Sequence, residues 1–228
     1  MKTAVLQAFA LLAAGDRQLG IILSVTLRMS LASSVIALLL GAPLGILLGS
    51  FAFPGKRALV VANRTLMGLP PVVCGLLCYL MFCGVGPLRH LRLLYTVGGM
   101  VAAQVLLITP VVVGSMETCL SASAPAIRET CRGMGLSTRR TLLLLMNESQ
   151  YQLVSTYLLG LSRALAEVGA VSMVGGAIAY KTDVMTTAIM NYTNMGDFTM
   201  ALALGIILLG VSLVLNVAAA LLQRRFLP

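Results

Sequence analysis

Charge is scarce in this chain: Asp, Glu, Lys and Arg make up 10% of its 228 residues, against 59% hydrophobic, and mean hydropathy is +0.98. So few charges cannot cover a water-soluble surface of this size. Acidic groups are the scarcest, seven against sixteen Lys and Arg, which leaves a formal net charge of +9. The cations are dispersed and no aromatic platforms interleave them, so nucleic acid is excluded as a partner. Period-2 alternation is missing from the long Leu/Val/Ala/Gly runs. That excludes a membrane barrel, because in lipid the backbone must be satisfied within helices or a closed sheet. An all-α, polytopic membrane protein remains.

Chemistry-bearing clusters are missing too. The lone His90 forms no ligand spacing with Cys74, Cys78, Cys83, Cys119 or Cys131, so no metal site is expected, and the cysteines act as small hydrophobes. Cys131 lies in a polar loop and implies a reducing side there. The stretch from Gly49 to Arg57 resembles a phosphate-binding loop, but its glycine spacing is one residue too long and Arg57 stands where Ser or Thr would hold magnesium. No nucleophile, base and acid converge, so the chain is no enzyme by itself and carries no cofactor. There is no internal repeat, low-complexity tract or soluble domain, and residues 1–228 read as one transmembrane domain.

What is present is a series of apolar stretches long enough to cross hydrocarbon, at 19–48, 66–85, 94–116, 153–178 and 200–222. Residues 1–18 read as an amphipathic lead-in helix, since the apolar run after Lys2 is short and lacks a cleavage site. If the first loop is cytoplasmic, the inside holds Lys56, Arg57, Arg64, Arg128, Arg132, Arg139, Arg140, Arg224 and Arg225. The outside holds Lys2, Arg17, Arg89, Arg92 and Lys181, which favours an N-terminus outside and a C-terminus inside. Pro43, Pro70-Pro71 and Pro110 are expected to bend or start helices.

A polar, Arg-rich stretch at 121–145 interrupts the apolar pattern and reads as a cytoplasmic coupling loop. Ser123 can cap a helix whose first turn tolerates Pro125; Gly133 and Gly135 end it, and Ser137 caps the next. Ile127, Cys131 and Met134 fall at i, i+4 and i+7, an apolar stripe flanked by Arg128, Glu129 and Arg132 that could dock in a partner's groove. An ordinary connector would need neither cap, glycine break nor stripe.

Within the membrane, Arg163 and Glu167 stand one helical turn apart, about 15–21 Å from the inner end of the fourth span, where they can neutralise each other. Two readings stand: a gate that reorganises between transport states, or a fixed pair that orients one helix. Residues 181–197 are too polar to span. Thr186, Thr187 and Asn191 there either line an anion path or belong to an interfacial helix with satisfied hydroxyls.

Glu129, Gly135 six residues on, and the apolar run 142–145 resemble the EAA loop of ABC importer permeases, with Thr130-Cys131 for two alanines and Asn147-Glu148 for Leu-Pro. A closer resemblance, to the tungstate-type permeases, covers nearly the whole chain. It rests on Gly68-Leu-Pro-Pro-Val-Val-Cys-Gly75, Gly86-Pro-Leu, Leu94-Tyr-Thr, Ala103-Gln104 with Pro110, Arg163-Ala-Leu-Ala-Glu-Val-Gly-Ala170, Val174-Gly-Gly176 and Met185-Thr-Thr-Ala-Ile189. The chain departs from that pattern at Ala177, where the family has Asn, and at Asp183, where it has Arg.

The resemblance implies a type I ABC importer bundle (MetI-like) of about five spans in the inner membrane, working as a homodimer. Two cytosolic ATPase subunits holding ATP and magnesium and an external substrate-binding protein would complete it. It implies tungstate as substrate, with molybdate or another small solute as the alternative. On this expectation Ile127, Arg128, Glu129, Cys131, Arg132, Met134 and Gly135 meet the ATPase. Two rivals differ in kind: an ion-gradient-driven transporter relaying through Arg163 and Glu167, and a non-transporting scaffold.

Overall fold

The computed structural model describes residues 6, 10 and 17–224. The expected lead-in helix over 1–18 therefore lies almost wholly outside the described residues. Among these, the chain forms α1 (Arg17–Ser50), α2 (Lys56–Met67), α3 (Pro71–Phe82), a 3-10 turn (Arg89–Leu91), α4 (Val97–Gly133), α5 (Thr138–Glu148), α6 (Gln150–Ala166), α7 (Gly169–Gly175), α8 (Met185–Asn194) and α9 (Phe198–Arg224).

Among the described residues, three helices are long and apolar enough to cross a membrane unaided: α1, α4 and the Phe198–Ala218 part of α9. The stretches expected as the second and fourth spans are each broken: α2 and α3 meet at 97°, and α6 and α7 at 58°. The first break sits at Pro70-Pro71, where Pro70 is extended (φ −61°, ψ 130°) and Pro71 occupies the first helical position, which needs no N–H donor. Counting each bent pair as one span gives five.

The scaffold is the contact of α1 with α4. Gly41, Gly45 and Gly49, four residues apart, lie on one face of α1 and meet α4 at Val112, Met116 and Leu120. A Cβ on Gly45 would stand 2.5 Å from the Met116 Cβ and 2.7 Å from the Val113 carbonyl oxygen, so only glycine permits this approach. Without a hydrophobic force between helices in lipid, close packing of this kind is what holds them. The partner offset of 71 residues, set by the Ser33–Gln104 hydrogen bond, persists along the seam, so the two helices run parallel and in register. Ala37, Ile46, Ile108 and Met116 fill it.

A second close approach joins α3 to α7: a Cβ on Gly75 would lie 2.7 Å from the Ala170 Cα, and one on Gly169 would meet Val72. Cys74, Cys78 and Phe82 pack with Ala103, Leu107 and Val174 around it. α8 and α9 close the bundle through Met185, Ala188, Leu204 and Ile207 against Leu19 and Ile22 of α1.

Candidate translocation and coupling sites

The break between α6 and α7 lies in apolar surroundings, where a non-helical backbone strands its polar groups unless side chains answer them. Helix α6 stops at Ala166, and Glu167 is extended (φ −75°, ψ 127°). Its buried carboxylate accepts the Ala170 N–H at 3.1 Å, which caps α7 where the helix dipole favours negative charge. Its carbonyl accepts the Thr186 hydroxyl at 2.9 Å. One turn back, the Ala164 carbonyl accepts the side-chain amide of Gln104 at 2.9 Å, and the Ser33 hydroxyl donates to Gln104 Oε1 at 2.7 Å. Gln104 is fully buried and ties α1, α4 and α6 together. At the other end of α7, the Thr182 hydroxyl donates to the Gly175 carbonyl at 2.6 Å and accepts the Ile178 N–H at 3.1 Å.

This geometry corrects the expectation that Arg163 and Glu167 neutralise each other. The helical turn that would align them ends at Ala166, and the carboxylate swings to α7 instead. Among the described residues the ion pair is Arg64 with Glu117, at 3.7 Å. Arg163 is half-buried, with a buried Nε that has no hydrogen-bond partner. Among the described residues no carboxylate lies within 4 Å of this cation, which stands close to the break. Thr187 is also committed within the protein: its hydroxyl donates to Asp183 Oδ1 at 2.6 Å and accepts the Val184 N–H at 3.0 Å. Asn191 is half-buried, one helical turn further along α8.

The coupling stretch differs from expectation at its start. No helix begins at Ser123; α4 runs on through Ser123 and Pro125 to Gly133. Pro125 removes the donor for the Ser121 carbonyl, but both residues are exposed, so solvent supplies the missing bond. At 37 residues α4 is about 55 Å long, well beyond the roughly 30 Å of hydrocarbon. Its last turns stand clear of the membrane core.

The end of α4 follows the glycine reading. Gly135 is left-handed (φ 68°), its N–H donates to the Arg132 carbonyl at 3.0 Å, and the Leu136 N–H donates to the Cys131 carbonyl at 2.9 Å. That is a Schellman termination, with glycine at the position that must take positive φ. Ser137 stands at the cap of α5 in an extended conformation (φ −67°, ψ 155°), but its side chain makes no capping bond. The expected stripe is split. Cys131 is buried and Ile127 half-buried against the α1–α4 core, whereas Met134 is 70% exposed. The burial of Cys131 removes it from any partner's groove; Glu129, Arg132, Met134 and Gly135 remain outward. Arg128 stacks 4.6 Å over the Phe51 ring.

Sequence reasoning missed the Gly41/Gly45/Gly49 seam, whose four-residue spacing was the available signal, and the role of Gln104, a lone amide inside an apolar run.

Residues 41–228 match the family described as the binding-protein-dependent transport system inner membrane component. The chain is 34% identical to the tungstate uptake system permease protein TupB of Peptoclostridium acidaminophilum, covering 95% of each chain. It is 32% identical to a probable anion ABC transporter permease protein of Haloferax volcanii, covering 93% of this chain and 95% of the other. In three dimensions it is similar to a permease-length chain in inward-facing MetNI, a methionine ABC transporter (TM-score 0.74, 18% identity, 93% of this chain and all of the other). With the broken spans, the glycine seam and the Schellman turn, these matches place the chain plainly: it belongs to the inner membrane component family of binding-protein-dependent transport systems.

Proposed function

We propose that this chain, paired with a second copy of itself, forms the oxyanion path of an ATP-driven importer and that tungstate is its substrate. The observation that carries this reading is Arg163, a half-buried cation with no carboxylate within 4 Å among the described residues, beside a broken membrane helix. In a low-dielectric bundle a lone guanidinium attracts a dianion strongly, yet without a cage of further donors it also lets the ion leave. The likeness to tungstate and anion permeases supports that charge preference.

Hydrolysis belongs to two cytosolic ATPase subunits, which hold ATP and magnesium. They dock on the outward residues of the α4–α5 turn, Glu129, Arg132, Met134 and Gly135. Arg128 and Ile127 brace that turn against the bundle. The excess of cations at this end supports placing it in the cytoplasm, with the N-terminus outside. An external binding protein delivers the ion, and Glu167, Thr186 and Asn191 sit where the break reorganises.

Purified permease, ATPase and binding protein in proteoliposomes should take up tungstate only with ATP, and Arg163→Gln should lower uptake at least tenfold while Arg163→Lys retains part of it. Uptake driven by an ion gradient alone, or unaffected by Arg163→Gln, would overturn the reading. Molybdate outcompeting tungstate would reassign the substrate and leave the path intact.

A further inference from the structure

Two concavities meet at Phe51. On one side α1, α2 and α4 wall an open apolar groove of about 860 Å³, with Leu40, Leu44, Leu66 and Leu106 each about half exposed along it. On the other side, between the end of α1 and the lower part of α4, lies a cleft of about 330 Å³. Lys56, Arg128 and Arg132 line the cleft, and Glu129 is the sole acidic group there to offset them. Ser50 lines it as well; it is 2% exposed and its hydroxyl has no partner. Phe51 belongs to both concavities, and Arg128 lies over its ring, so a cation stands at their junction.

We propose that one anionic phospholipid occupies both: an acyl chain in the groove and the phosphate in the cleft, accepting hydrogen bonds from Lys56, Arg128 and the Ser50 hydroxyl. Neither half explains the other's chemistry alone. A free oxyanion has no use for an 860 Å³ apolar groove, and a hydrocarbon has none for three cations and a buried, unbonded hydroxyl. Helix α2 completes the fit. It turns 97° away from α3, with Lys56 and Arg57 at its start and exposed Leu59, Val61 and Leu66 along it, the composition of a helix lying at a membrane surface. The inference takes the orientation given above, which makes this the inner leaflet, and is independent of the transported substrate.

The test is native mass spectrometry of the purified permease–ATPase complex, titrated with phosphatidylglycerol, with phosphatidylcholine of the same acyl chains, and with inorganic phosphate. Phosphatidylglycerol should be retained at least tenfold over phosphatidylcholine. Since each surface cation contributes roughly fivefold to anionic-lipid affinity, Lys56→Gln with Arg128→Gln should weaken phosphatidylglycerol roughly 25-fold and erase the preference. Ala62→Trp, at an exposed groove position, should weaken both lipids and leave the circular dichroism spectrum unchanged. Equal retention of the two lipids by the unmodified protein would overturn the proposal. So would displacement by inorganic phosphate with Ala62→Trp silent, the mark of a free-anion site, or cross-linking of groove residues between two copies with no lipid retained. Because the readout is lipid retention, failure here leaves the uptake experiment to decide the transport reading separately.

Discussion

The α1–α4 seam and the α6–α7 break cross the same apolar slab and bury opposite things. Along the seam three glycines bring two unbroken helices into contact in constant register, and the side-chain hydrogen bond that joins them is that of Ser33 with Gln104. At the break the helix is abandoned, and carbonyls and amides are handed to Glu167, Thr186, Gln104 and Thr182. Close packing has one good arrangement and resists displacement. A hydrogen-bonded elbow can exchange partners at modest net cost, about 1 kcal/mol per bond. The difference assigns the seam to carrying force and the break to yielding to it.

The strongest way to break this comparison is to overfill the seam. Gly45→Val meets Met116 and a backbone carbonyl that cannot turn aside, so it should destabilise the protein by about 3 kcal/mol, the upper part of the overpacking range, read as a lower unfolding midpoint in detergent. An unchanged midpoint would mean the seam is loose. At the break, Glu167→Ala leaves the Ala170 N–H without its acceptor and should cost about 1–3 kcal/mol, whereas Glu167→Gln keeps an acceptor and should cost less than half of that. Equal losses in unfolding titrations would rule out capping as the role of this carboxylate.

A smaller effect on stability, but a large one on coupling, is expected at Gly135→Val. Nothing lies within 4 Å of a Cβ there, so the cost is the left-handed backbone alone, about 1–2 kcal/mol. The spans should fold and ATP hydrolysis persist while uptake falls; retained uptake would take this turn out of the mechanism. The smallest effect sharpens the comparison from the favourable side. Ala177 holds φ 47° just past the far end of α7, and Ala177→Asn should raise stability by about 0.5–1 kcal/mol, because Asn tolerates that conformation; a lower unfolding midpoint would refute it.

The apolar stretches and the glycine stop at 133–135 were legible because each follows from local chemistry: burial of long apolar runs, and positive φ at one residue. What misled was also local. Pro125 reads as a helix start, yet tertiary exposure let water satisfy Ser121, and the helix continued. Arg163 and Glu167 read as an i, i+4 pair, which holds only inside an unbroken helix; Val168-Gly169 was the cue that it stops. Thr187 read equally well as path lining or as a satisfied group, and only the position of Asp183 decides that its hydroxyl is taken. The seam was legible only in part: the four-residue spacing of Gly41, Gly45 and Gly49 marks a close-packing face on one helix, but not which helix meets it.

Amide hydrogen exchange of the reconstituted complex, compared between nucleotide-free and ATP-trapped states, tests the division between seam and break most directly. Amides at 166–172 should change their exchange between the two states while those at 108–120 stay equally protected in both. Unchanged exchange at 166–172 together with opening at 108–120 would contradict it.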